Sequence, residues 1–118
     1  MESSYLLKLS AAQQESLAQQ PSVSAELLIT AIHDHAEQIG YMLQAYFPKE
    51  KVSRVAVVPG SVVIQEAGLA TLQLEFVKEE YNACSAIDTV LKDKMRITLA
   101  FNRDAGVLKL TGENWPEL

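Results

Sequence analysis

The stretch Gly68–Val77, GLATLQLEFV, decides how the chain folds. Ala70, Leu72, Leu74 and Phe76 fall on every second position, with Thr71, Gln73, Glu75 and Val77 between them. Successive side chains of a strand point to opposite faces, so this period of two reads as a strand with one face in a core. MRITLAFN, residues 95–102, repeats it, with Met95, Ile97, Leu99 and Phe101 inward and Arg96, Thr98 and Ala100 outward. NRDAG then supplies a tight hairpin loop, with Gly106 placed for a left-handed conformation. VLKLT follows, turning Leu108 and Leu110 inward. Upstream, RVAVVPGSVVIQ reads as two short strands around Pro59-Gly60, the pair a type II turn takes at its centre. Single-faced strands joined by tight turns make an antiparallel sheet with one side covered and one free. Residues 81–94, YNACSAIDTVLKDK, fit either of two structures. One is a helix capped by Asn82, with Tyr81, Cys84, Ile87 and Leu91 on one face. The other is the far end of a long hairpin, and Ile87, Thr89 and Val90 tilt the reading that way.

Before Pro48 the period changes. Leu28, Ile32, Ile39, Met42, Leu43 and Tyr46 keep helical phase, which predicts a long helix over 25–46. Ser22 is its expected cap, and Phe47-Pro48 closes it. LSAAQQESLAQQP predicts a shorter helix, opened by a capping box of Ser10 with Gln13 and ended before Pro21. Tyr5 to Leu9 fits an extended arm or an earlier helical turn. The expected fold is a single α+β domain over 1–118. Two N-terminal helices, a layer spanning about 10–47, pack on one face of an antiparallel meander sheet of four to five strands, about 52–112.

At 118 residues the chain is long enough to bury a core without staples, and 48% apolar content with 21% charge is globular. A single cysteine, Cys84, excludes an internal disulfide framework and suits a cytoplasmic setting. MESSYLLKLSAAQQ has no basic leader region, and no apolar stretch approaches a membrane span. The net charge of −5 lacks the basic footprint that phosphate-backbone binding needs, so neither nucleic acid nor membrane is expected as a partner.

Both histidines fall within AIHDHAEQIG, residues 31–40. On one helix His33 and His35 point about 200° apart and cannot share an ion. His33 with Glu37 is the one i, i+4 pair here, giving two ligands where zinc takes three or four. No metal or cofactor is expected. His35 falls in the apolar stripe between Ile32 and Ile39. It reads as a buried imidazole bonded to a carbonyl or a tyrosine, or as a general base or ligand contact at a pocket floor. His33 belongs to the polar face and is expected to be solvated. Cys84 reads as a small buried hydrophobe rather than a nucleophile. Glu79 and Glu80, adjacent on a strand, face opposite ways. VVPGSVV lacks the Lys-Ser/Thr of a phosphate loop, and no Gly-x-Ser-x-Gly elbow occurs. No catalytic residue is assigned. Trp115 reads as a pin holding the tail to the core edge, ahead of an exposed anchor for a partner.

Charge is uneven. Residues 1–48 hold five acids and one base, and the long helix has neither lysine nor arginine. Its apolar arc is wide, extended by Leu27, Tyr41 and Ala45 on one side and by Ile29 and Ala36 on the other. A stripe that wide implies more than one neighbour. A homodimer is expected, through Leu27, Ile29, Tyr41 and Ala45 or through a sheet edge. The favoured function is a small acidic cytoplasmic module that binds another protein, as inhibitors, immunity proteins and chaperones do, without catalysis. The alternative is an enzyme or small-ligand binder, with His35, Tyr46 and Tyr81 lining a cavity between sheet and long helix.

Overall fold

The computed structural model describes residues 1–19, 24–65, 68–82 and 87–116, with 81, 82 and 87–89 described by backbone alone. Nine elements follow along the chain: β1 (Ser4–Lys8), α1 (Ala11–Ala18), α2 (Ala25–Asp34), α3 (Ala36–Gln44), β2 (Lys51–Val57), β3 (Val63–Ile64), β4 (Leu69–Asn82), β5 (Ile87–Asn102) and β6 (Val107–Thr111). The fold is α+β, with three helices near the N-terminus and a six-stranded antiparallel sheet. The expectation of two helices and four to five strands is corrected on both counts.

The helices differ from expectation for local reasons. Ser10 caps α1 through the expected box: its Oγ accepts from Gln13 N–H at 3.1 Å, and Gln13 Oε1 accepts from Ser10 N–H at 2.9 Å. Ser24 caps α2, its Oγ accepting from Leu27 N–H at 3.2 Å, while Ser22 lies outside the described residues. The long helix breaks at His35, whose φ of −115° and ψ of 21° leave the helical region. The break falls among the six residues between Ile32 and Ile39, where polar residues crowd. α2 buries Leu28, Ala31 and Ile32, and α3 buries Ile39, Gly40, Met42 and Leu43. The apolar arc that looked too wide for one helix belongs to two. Among the described residues, no helix is long and apolar enough to cross a membrane.

The sheet runs β1-β6-β5-β4-β2, with β3 also on β4. It is not a plain meander, because β1 returns to pair with β6, matching Tyr5 with Leu110 and Leu7 with Leu108. Tyr5 to Leu9 is therefore mostly strand, and the pairing puts Leu7 fully in the core. β2 and β3 do not pair with each other. Both lie along β4, β2 against its middle and β3 against Ala70 and Thr71, as one edge interrupted by residues 58–62. The interruption holds the predicted turn: Gly60 has φ +77°, and Ser61 N–H bonds the Val58 carbonyl at 3.1 Å. β4 and β5 form the long hairpin, paired from Leu69 and Ala100 out to Asn82 and Ile87. Residues 83–86, which include Cys84, lie outside the described residues.

Alternation then builds the core. Leu72, Leu74, Phe76, Met95, Ile97, Leu99, Leu108 and Leu110 share one buried cluster with Leu28, Ile32, Ile39 and Leu43. α2 and α3 both contact β2, and α3 also contacts β1. Each fully buried side chain of this kind contributes roughly 1.5–3 kcal/mol. Leu17 is the single buried residue of α1.

Candidate functional site

Pairing register sorts the charged residues by face. Leu72 and Leu74 point to the core, so Gln73 and Glu75 point away, and with them their partners Arg96 and Lys94. Lys92 opposite Val77, Lys51 opposite Glu79, Lys109 opposite Ala100 and Lys8 opposite Val107 join the same outer face. Arg54 reaches it by another route. Register between β2 and β4 slips from Ser53–Val77 to Ala56–Glu75, a bulge, and Arg54 in it takes φ 54°. Positive φ is uncommon for a residue other than glycine, and bulges re-aim side chains. Arg54 lines a groove of about 300 Å³ with Glu75, Val77, Lys92 and Lys94.

Seven of the ten lysines and arginines therefore lie on or beside the outer face: Lys8, Lys51, Arg54, Lys92, Lys94, Arg96 and Lys109. Among the described side chains, register places the carboxylates Glu75 and Glu79 there, and Glu2 and Glu113 stand beside it in a groove with Arg96 and Thr98. Helices α1 to α3 carry Glu15, Glu26, Asp34 and Glu37 and no lysine or arginine. A net charge of −5 conceals a basic sheet face and acidic helices. Counting charge along the chain missed this, although Lys92, Lys94 and Arg96 at alternate positions carried the signal.

Side chains hold backbone amides both on the β2 edge and on the stretch of β5 that β6 does not reach. On β2, Val52 N–H donates to Gln44 Oε1 at 2.9 Å and Val57 N–H to His33 Nε2 at 3.4 Å. His33 is exposed, as expected, yet its ring also holds a strand edge. On β5, residues 87–97 pair only with β4 among the described residues. There Lys94 N–H donates to Asp93 Oδ1 at 2.8 Å, and Arg96 N–H to Glu113 Oε2 at 2.9 Å. Asp93 also meets Lys78 Nζ at 2.9 Å. Burial works against its charged form, but the bonds from Lys78 and the Lys94 amide outweigh this and hold the carboxyl below the usual range.

The residues singled out from sequence do not converge. His35 is half-buried at the α2–α3 junction, with Nδ1 3.1 Å from Tyr5 Oη, so its partner is a tyrosine of β1. Tyr46 is buried at the end of the helical segment. Its Oη donates to the Glu113 carbonyl at 2.7 Å and accepts from Ser3 N–H at 2.9 Å. Burial raises its phenol pKa, against the lowering effect of the Ser3 amide. Trp115 packs edge-on against Tyr46 and Phe47, at 5.0 and 5.4 Å between ring centres, which pins the tail. Tyr81 has no described side chain. Leu27 and Ile29 are half-buried against the core, whereas Tyr41 is 67% exposed and Ala45 is also exposed. Tyr41 Oη donates to Glu37 Oε1 at 3.2 Å. Among the described residues, no three His, Cys, Asp or Glu side chains are grouped to hold a metal ion. No protein-family model, curated protein or solved structure matches the chain.

Proposed function

We propose that this chain is a cytoplasmic protein-interaction module that works by binding and carries no chemistry. In this reading the helices cover the inner face of the sheet and leave the outer face for a partner. The observation that carries it is the sorting of charge: seven cations against the carboxylates of Glu2, Glu75, Glu79 and Glu113 on or beside the open face, in a protein whose net charge is −5. Complementary fields of this kind steer encounter and select partners. His35 supports the reading from the other side, since its ring is engaged by Tyr5 rather than by a reactive partner. Self-association through the helical layer is a second reading. Tyr41 and Ala45 are the helical residues most open to a two-fold contact, because Leu27 and Ile29 already pack against the core.

Site-specific photo-crosslinking in cell extract tests this. A benzophenone side chain replaces Thr98, in the middle of the open face, or Gln38, on α3. Discrete protein adducts from position 98 and few from position 38 are the expected result. The reading fails if position 98 gives none. It also fails if a small molecule co-purifies with the chain and is lost in His35→Ala, which would favour the ligand-pocket alternative.

A further inference from the structure

We infer that the free edge of β5 accepts an extended acidic protein segment as an added strand. The inference rests on the binding reading above and gives that surface a partner chemistry and a docking mode. Backbone geometry supplies the first part. Phe101 N–H points toward β4, bonding the Gly68 carbonyl at 2.7 Å, so odd-numbered amides of β5 face β4 and even-numbered ones face away. The bonds of Lys94 and Arg96 N–H to carboxylates confirm that phase. By the same alternation, the amides of Val90 and Lys92 point out of the sheet. Beyond Thr98, β6 takes these groups; before it, among the described residues, no strand does. An unpaired strand edge is a template for another strand.

Side chains supply the second part. Val90, Lys92, Lys94 and Arg96 stand on the outer face, and Leu91, 48% exposed, stands on the inner one. Neighbouring residues of paired strands share a face. A segment laid along this edge would set alternate residues beside three cations and the residues between them beside Leu91. Its complementary pattern is acidic at one parity and apolar at the other. Carboxylates already occupy the edge, since Asp93 and Glu113 hold two of its amides. An incoming strand would displace both: Asp93, which keeps its bond to Lys78, and Glu113, which lies in the tail segment past β6.

Nucleic acid fits less well. Single strands bind on basic faces that also offer aromatic rings for stacking. The described side chains of the outer face include no aromatic ring, and Glu75 and Glu79 interrupt the cations. The β2 edge of the sheet is a weaker candidate, because α2 and α3 pack against that strand, in addition to the bonds from Gln44 and His33.

The test is fluorescence anisotropy on the full chain with a labelled ten-residue peptide alternating glutamate and valine. The controls are its lysine–valine counterpart, two versions N-methylated at either the glutamate or the valine amides, and a single-stranded oligonucleotide. Binding should be specific to the acidic peptide and weaken with salt. One N-methylated version should lose binding and the other keep it, because only one parity faces β5. Joint Lys92→Glu and Lys94→Glu should weaken binding by about tenfold or more, whereas Lys109→Glu, on the same face but away from the edge, should change it by less than about twofold. Glu113→Ala should tighten it by a few-fold. If both N-methylated peptides bind as well as the parent, the face attracts by charge alone; strand addition is then refuted while the binding reading stands. No binding of the acidic peptide at low salt refutes the inference as well. Tight binding of the oligonucleotide in place of the peptide overturns both the inference and the reading beneath it. Self-association abolished by Lys92→Glu would make a second copy the occupant and also overturn the inference.

Discussion

Gly112→Ala should destabilise the fold by more than its position near the chain end suggests. A Cβ on Gly112 would sit 2.5 Å from Tyr46 Oη and 3.0 Å from two carbons of its ring. Carbon atoms in good contact lie about 3.5–4.0 Å apart, so the added methyl overlaps the ring by roughly half an ångström and the hydroxyl by more. Tyr46 has little room to yield. It is 6% exposed, its ring meets Trp115 edge-on, and its hydroxyl is held by Ser3 and Glu113. Gly112 is not among the positive-φ glycines, so the cost is steric rather than conformational. Overpacking of this kind costs about 1–3 kcal/mol. Tyr46→Phe removes the hydroxyl and strands a half-buried amide and carbonyl, for about 1–2 kcal/mol. It also deletes the shortest contact, so Gly112→Ala should cost about 1 kcal/mol less in the Tyr46→Phe background. Urea denaturation of the four proteins, followed by circular dichroism, measures all three differences. If Gly112→Ala is neutral, or its cost is the same with and without the hydroxyl, Tyr46 is not the fixed wall described here.

Gly40→Ala should act in the opposite direction. Gly40 is inside α3, and its Cβ would lie an ordinary 3.7 Å from Val55 Cγ2, so alanine should add about 0.5–1 kcal/mol of stability through helix propensity. A lower urea midpoint would mean that α3 and β2 approach more closely than this. Asp93 makes an acid-limb prediction. Its folded pKa is depressed below 3.8, so its stabilising contribution is present above that value and is lost as pH falls through the folded one. Asp93→Asn should therefore flatten the fall of the urea midpoint at low pH, and superimposable acid limbs in the two proteins would refute the Lys78–Asp93 pairing.

Local sequence determined most of the elements, because their signals are carried by neighbours along the chain. Ala70 to Phe76 and Met95 to Leu99 give the strands of the long hairpin, Ser10 with Gln13 gives the start of α1, and Pro59-Gly60 and Gly106 give turns that their φ values bear out. Residues 81–94 were legible only as a choice, and pairing from Asn82 to Ile87 decides it for the hairpin. Tertiary structure decided the rest. The helix break at His35 has no proline or glycine to announce it. Tyr5 to Lys8 becomes a strand only because β6, about a hundred residues later, offers it a partner. Tyr46 finds Ser3 and Glu113 in the same long-range way. The charged face is the clearest case. Lys8, Arg54, Lys94 and Lys109 are scattered in sequence, and composition reports only their acidic sum. Strand register, which chain-distant hydrogen bonds fix, turns alternate residues to one side and so separates the basic face from the acidic helices.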